Sequence, residues 1–200
     1  MKIKQSIVAM RYLVSSIAVT LALTLVCFAQ QTMDATKPGT EVKEYPKTRI
    51  DGMVLEWTRA KDYTREYLDA MPEEGINFKP TPAIRSFAEQ MLHLANANYG
   101  FAASAFGVTN PVQGKRLETL EELKTKTALT KAVMDSYDFM ISTIKAQSDA
   151  KLDERAVRAG MNRPKSALLA AAFEHQTHHR GQTTIYLRLK GVTPPNEKLF

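Results

Sequence analysis

The stretch FEHQTHHRGQTTIYLRLKG, residues 173–191, holds three of the chain's four histidines, His175, His178 and His179, within five positions. It reads as the second half of one long helix. Pro164 suits a first helical position, and Gly191 with Pro194 and Pro195 ends the pattern. On a helix each residue advances about 100°, so positions four apart lie about 40° from each other on one face. His175 and His179 have that spacing. His178 lies about 60° to the other side of His175, so the pair His175/His178 is a geometric rival. The same face carries Leu168, Ala171, Ala172, Gln182 and Tyr186, so the imidazoles interrupt a stripe that otherwise points inward.

The fourth histidine, His93, stands in SFAEQMLHLANANYG, residues 86–100. Ser86 and Glu89 have the spacing of a capping box, in which each side chain satisfies an amide at the helix start. Phe87, Met91, Leu94, Phe101 and Ala105 form the apolar stripe, and Gly107, Pro111 and Gly114 end it. His93 sits beside that stripe with Glu89, Gln90, Asn96, Ala97 and Gly100, a small and polar seam with room for a ligand. Two further helical patterns complete the count. One begins near Asp51, with Met53, Trp57, Ala60, Thr64, Tyr67 and Met71 at steps of three or four, before Pro72, Gly75, Pro80 and Pro82 break it. The other runs from about Glu118 to Gln147, with Leu123, Thr127, Met134, Tyr137, Ile141 and Ile144 on one side. The charged segment at 148–163 reads as a long connection with a short helical turn. No stretch shows the alternation or β-branched clustering of a strand. Four amphipathic helices with breakers between them predict an all-α domain, a four-helix bundle, over residues 51–200.

Spacing alone allows both a metal site and a set of ordinary core histidines, which are usually neutral and hydrogen-bonded. His93 tips the balance towards a metal, because it puts a third imidazole on a small, polar face of another helix. Three neutral imidazoles leave an ion its full charge and at least one open coordination position, the arrangement of a working site rather than a closed structural one. Glu174 and Glu89 are candidate carboxylates for orienting an imidazole, with a solvated helix-edge charge as the plainer reading of each. The chain has no Gly-x-Ser-x-Gly elbow, no phosphate-cradling glycine loop and no His-Glu-x-x-His.

The chain has 200 residues, 44% hydrophobic and 24% charged, the size and balance of one globular domain. Its beginning reads differently. Lys2, Lys4 and Arg11 precede an uncharged apolar run from Tyr12 to Phe28 and the ending Cys27-Phe28-Ala29. This is the pattern of a signal peptide over 1–29, cut after Ala29, rather than of a retained anchor, and it predicts a periplasmic or secreted protein. Residues 30–50 read as a flexible polar linker. Those three basic residues leave with the signal, so 24 of the 27 basic side chains face 21 acidic ones, a net charge of +3. That is too mild and too interspersed for nucleic-acid binding. The single cysteine, Cys27, leaves too, which excludes disulfides and a cysteine nucleophile in the exported domain.

EHQTHHRGQTTIYLRLKGVTPP, residues 174–195, resembles the C-terminal signature of the DinB-like metalloprotein superfamily: Glu-His-x-x-His-His-Arg-Gly-Gln, then Tyr-Leu-Arg and a glycine before a proline pair. INFKPTPAIRSFAEQMLHLANANYG, residues 76–100, is similar to that family's proline turn leading into a helix with one histidine. The resemblance spans about 51–195 and implies no DNA binding. It implies a four-helix bundle of unusual connectivity, often a homodimer, with one divalent metal held by His93, His175 and His179 and with His178 as a neighbour. Zinc is the first expectation for that metal, nickel and manganese the others. Relatives include metal-dependent transferases that join small thiols to electrophiles. The expectation is therefore an exported metal-binding protein acting on a small-molecule substrate or thiol as a transferase or hydrolase, with a non-catalytic metal- or ligand-binding bundle as the alternative.

Overall fold

A computed structural model describes residues 43–200. The expected signal peptide and residues 30–42 of the expected linker lie outside the described residues, and the linker's last two residues, Arg49 and Ile50, already belong to the first helix. Four helices make up most of the described fold: α1 (Arg49–Ala70), α2 (Phe87–Phe106), α3 (Lys126–Lys145) and α4 (Lys165–Leu189). Each start has a local cause. Thr48 accepts the Asp51 amide, and the Asp149 carboxylate takes the Arg49 and Ile50 amides from across the chain. Helix α2 opens with the full capping box, Ser86 and Glu89 exchanging bonds, and closes on Gly107 in the left-handed conformation.

Helix α2 packs on both α3 and α4, and α1 packs on the same two. The consecutive pairs α1/α2 and α3/α4 therefore lie across the diagonals, so both connections must span the bundle rather than turn back on themselves. The shared core holds Trp57 of α1, Phe87, Met91 and Leu94 of α2, Leu129, Tyr137 and Met140 of α3, and Leu168 and Ala172 of α4, all at most 3% exposed. Each fully buried large apolar side chain here contributes about 1.5–3 kcal/mol. Trp57 sits edge-on to Phe173, with ring centroids 5.4 Å apart.

Two expectations are corrected. The third helix does not begin at Glu118. Residues 117–119 and 121–123 form separate short 3-10 turns, and α3 starts only after Thr125, whose side chain accepts the Ala128 amide. Leu117 is buried and its amide bonds the Asn96 side chain of α2, so tertiary packing overrides the helical period there. Leu129, Val133 and Met140 carry the α3 core, while Thr127 is exposed. The second correction is that the segment before α4 contains strands. After a 3-10 turn at Asp149–Leu152, β1 (Arg155–Arg158) pairs antiparallel with β2 (Met161–Pro164), Arg158 opposite Met161. The turn residues Ala159 and Gly160 both have positive φ, 50° and 76°, which lets a two-residue loop follow the twist of the strands.

Candidate metal centre

Helices α2 and α4 pack directly on each other, and at their contact His93, His175 and His179 face one another. One ligating atom from each lies within 4.8 Å of the other two. The ring centroids are 5.2 Å apart for His93/His175, 4.7 Å for His93/His179 and 4.4 Å for His175/His179. The i, i+4 pair thus meets the lone histidine of the neighbouring helix. His178 does not: it is exposed and turned to the opposite flank of α4.

Neighbouring side chains fix the rings. His179 Nδ1 lies 2.9 Å from Gln90 Oε1. The Gln90 amide nitrogen donates to the Tyr186 hydroxyl, and that hydroxyl donates to the Arg85 carbonyl. Read along this chain, Nδ1 of His179 carries the proton and Nε2 keeps its lone pair. Glu118 stands on the far side of His93, its Oε1 3.6 Å from Nδ1, a charge contact that favours the same tautomer. Burial first, then the neighbouring imidazoles, hold His175 down to about 4 and His179 down to about 3. Burial and Arg85 hold His93 below the usual histidine range against the pull of Glu118. All three rings are neutral at ordinary pH, the form in which imidazole binds a metal.

The donor set fits a divalent cation. Among the described residues, the buried side-chain polar atoms without a hydrogen-bond partner are His175 Nδ1, Glu118 Oε2 and Gln182 Oε1. One belongs to the triad, one to the residue beside His93, and one to the residue a turn beyond His179. Buried polar groups are nearly always satisfied, so orphans gathered at one place mark where a bound group would meet them.

The two carboxylates expected from sequence are elsewhere. Glu89 is held by the Ser86 amide, by Lys79 at 2.9 Å and by Lys124 at 3.6 Å, the work of a helix cap. Glu174 is exposed and lines, with Trp57, Phe173 and His178, an apolar groove of about 820 Å³ between α1 and α4. The carboxylate at the triad is Glu118, which the sequence pattern sets on the first turn of a helix. Its buried neighbour Leu117 was the available signal. The small seam of α2 is also used differently: the space at Gly100 holds the guanidinium of Arg158, 3.4 Å from where a Cβ would stand.

The chain is similar to two proteins of Bacillus subtilis strain 168. "Uncharacterized protein YrdA" is 24% identical over 151 residues, covering 73% of this chain and 86% of that protein. "Uncharacterized protein YjoA" is 28% identical over 138 residues, covering 66% and 85%. In fold it is similar to the crystal structure of a DinB-like protein from Bacillus cereus ATCC 10987, with a TM-score of 0.65, 20% identity, and coverage of 78% of this chain and 100% of that one. The crystal structure of YjoA gives a TM-score of 0.58 at 23% identity, over 74% and 96%. The sequence profile of the DinB family matches residues 44–199, most of the chain, and the chain belongs to that family.

Proposed function

We propose that this is an exported metalloprotein in which His93, His175 and His179 hold one divalent cation, zinc before nickel or manganese, and that the site is catalytic towards a small molecule. The observation that carries the reading is the coincidence of the triad with the unpartnered buried atoms of His175, Glu118 and Gln182. Three nitrogen donors suit zinc or another late divalent metal, and no acidic side chain belongs to the converging group. A bound divalent ion supplies Lewis acidity, lowering the pKa of a thiol or water held against it. The protein's own residues do the rest. Gln90 and Glu118 orient the rings, and Leu168 and Ala172 close the α4 face behind them.

The described residues contain no cysteine, so a thiol in the reaction comes from a cosubstrate. Thiol transfer to an electrophile and hydrolysis are the two reactions this site supports. No helix among the described residues is long and apolar enough to cross a membrane. Export rests on residues 1–29 and places the mature protein in the periplasm or outside the cell, with Gln30 at its start. The test is turnover. Metal-loaded protein is offered thiol–electrophile pairs and a set of esters and amides. The reading expects turnover that His175→Ala abolishes. Metal retained without any turnover would make the bundle a binding module.

A further inference from the structure

The site's substrate can be narrowed by charge; this rests on the metal reading above. Arg158 leaves the end of β1 and lies across α2. Its Nη1 donates to the Gly100 carbonyl at 2.8 Å and to Ser104 Oγ at 2.9 Å. Its guanidinium stacks 4.0 Å above the Phe101 ring, and that ring is 6.0 Å from the ring of His175. Among the described residues Arg158 has no carboxylate partner, and its Nε and Nη2 hydrogens make no bond. Arg85, half-buried just before α2, has no carboxylate partner either, and its carbonyl takes the Tyr186 hydroxyl at the end of the chain of bonds that runs from His179 through Gln90. Arg116 is the third cation beside the triad, and it shares Glu118 at 3.4 Å.

Arg158 and Arg85 thus lack a carboxylate, the only one beside His93 being shared with the exposed Arg116, and a divalent ion adds to the excess. A half-buried cation without a counter-charge is unfavourable unless something anionic meets it. A plain staple between hairpin and helix would need only the bonds from Nη1. The planar fork of an arginine has further donors set for two oxygens of one group, and here they remain available. The site is partly recessed, with His179 8% exposed and His93 and His175 half-buried, which suits a small molecule reaching in from one side.

We propose that the substrate of the metal site carries a carboxylate or phosphate, received by Arg158 of the hairpin and by Arg85, with its reacting group directed to the histidine triad. The experiment titrates Co(II)-loaded protein with succinate, inorganic phosphate and neutral succinamide, reading the cobalt absorption spectrum. The two anions tell carboxylate from phosphate. The proposal expects at least one anion to bind about tenfold or more tighter than succinamide. Arg158→Gln and Arg85→Gln should each weaken that anion about tenfold, at unchanged cobalt stoichiometry, while Arg158→Lys, which keeps the charge but loses the fork, should fall between wild type and Arg158→Gln. Arg85→Gln and Arg158→Lys keep the test open should Arg158→Gln unfold the hairpin. Anion affinity unchanged in both glutamine variants, with cobalt still bound, overturns this proposal alone. Failure of the wild-type protein to take up cobalt overturns the metal reading beneath it.

Discussion

At the scale of single residues, two glutamates that look alike in sequence do opposite work. Glu89 is seated in a capping box between two lysines. Burial pushes its carboxyl up, but the Ser86 amide and Lys79 outweigh that and hold it below the usual range. Its folded pKa is depressed, so its contribution is complete above the unfolded value near 4.5 and is lost as pH falls through the folded one. Glu118 instead faces His93. Glu89→Gln should therefore lower stability by about 1 kcal/mol near neutral pH and leave metal affinity alone, with the stability gap to wild type closing below pH 4.5. Glu118→Gln should weaken metal binding about 10- to 100-fold with little effect on the melting temperature of the metal-free protein. Urea denaturation and competition with a chelator read the two effects separately; a metal defect in Glu89→Gln would reverse the assignment. Spacing put His175 and His179 on one face but left His178 as a rival, and the family resemblance made the choice among them. Glu118 was not legible, because its position depends on a loop drawn against α2 by Leu117 and Asn96.

Among the elements, the helices were readable wherever a period of 3.6 met a local cap, as in α2 with Ser86, Glu89 and Gly107. The β-hairpin was not. Its strands are four residues each, only half of them apolar, and they show no apolar alternation. Its turn, Ala159-Gly160, lacks the Asn-Gly or Asp-Gly signal, yet both residues adopt positive φ. Alanine pays a steric cost in that conformation, and glycine does not. Ala159→Gly should accordingly stabilise the fold by up to about 1 kcal/mol. A clear loss of stability in thermal unfolding would show that the turn is not under this strain. The hairpin matters to function through Arg158, which it carries to the edge of the triad.

Over the whole molecule, the diagonal placement of consecutive helices brings α2 and α4 together, and with them two histidine-bearing segments that stand far apart in the chain. Composition and periodicity could predict four helices but not which pairs touch; the family resemblance supplied that. Behind the triad a buried polar chain links three helices. Tyr137 bonds Thr64 at 2.8 Å and donates to Gln176 at 2.9 Å, and Gln176 also accepts from Arg180, whose guanidinium covers Tyr63. Burial pushes Tyr137 up to about 12, so it stays a neutral donor. Such a network fixes the register of α1, α3 and α4, and with it the direction in which His175 and His179 point.

The central claim is that this bundle holds one divalent ion on three histidines. Its most direct test is elemental analysis of protein purified without a histidine tag, for wild type and the four single histidine-to-alanine variants. The account predicts one divalent ion per chain in wild type and in His178→Ala, and none in His93→Ala, His175→Ala or His179→Ala. Metal lost from His178→Ala but kept by His179→Ala, or a folded wild-type protein that takes up no metal when it is supplied, would contradict it.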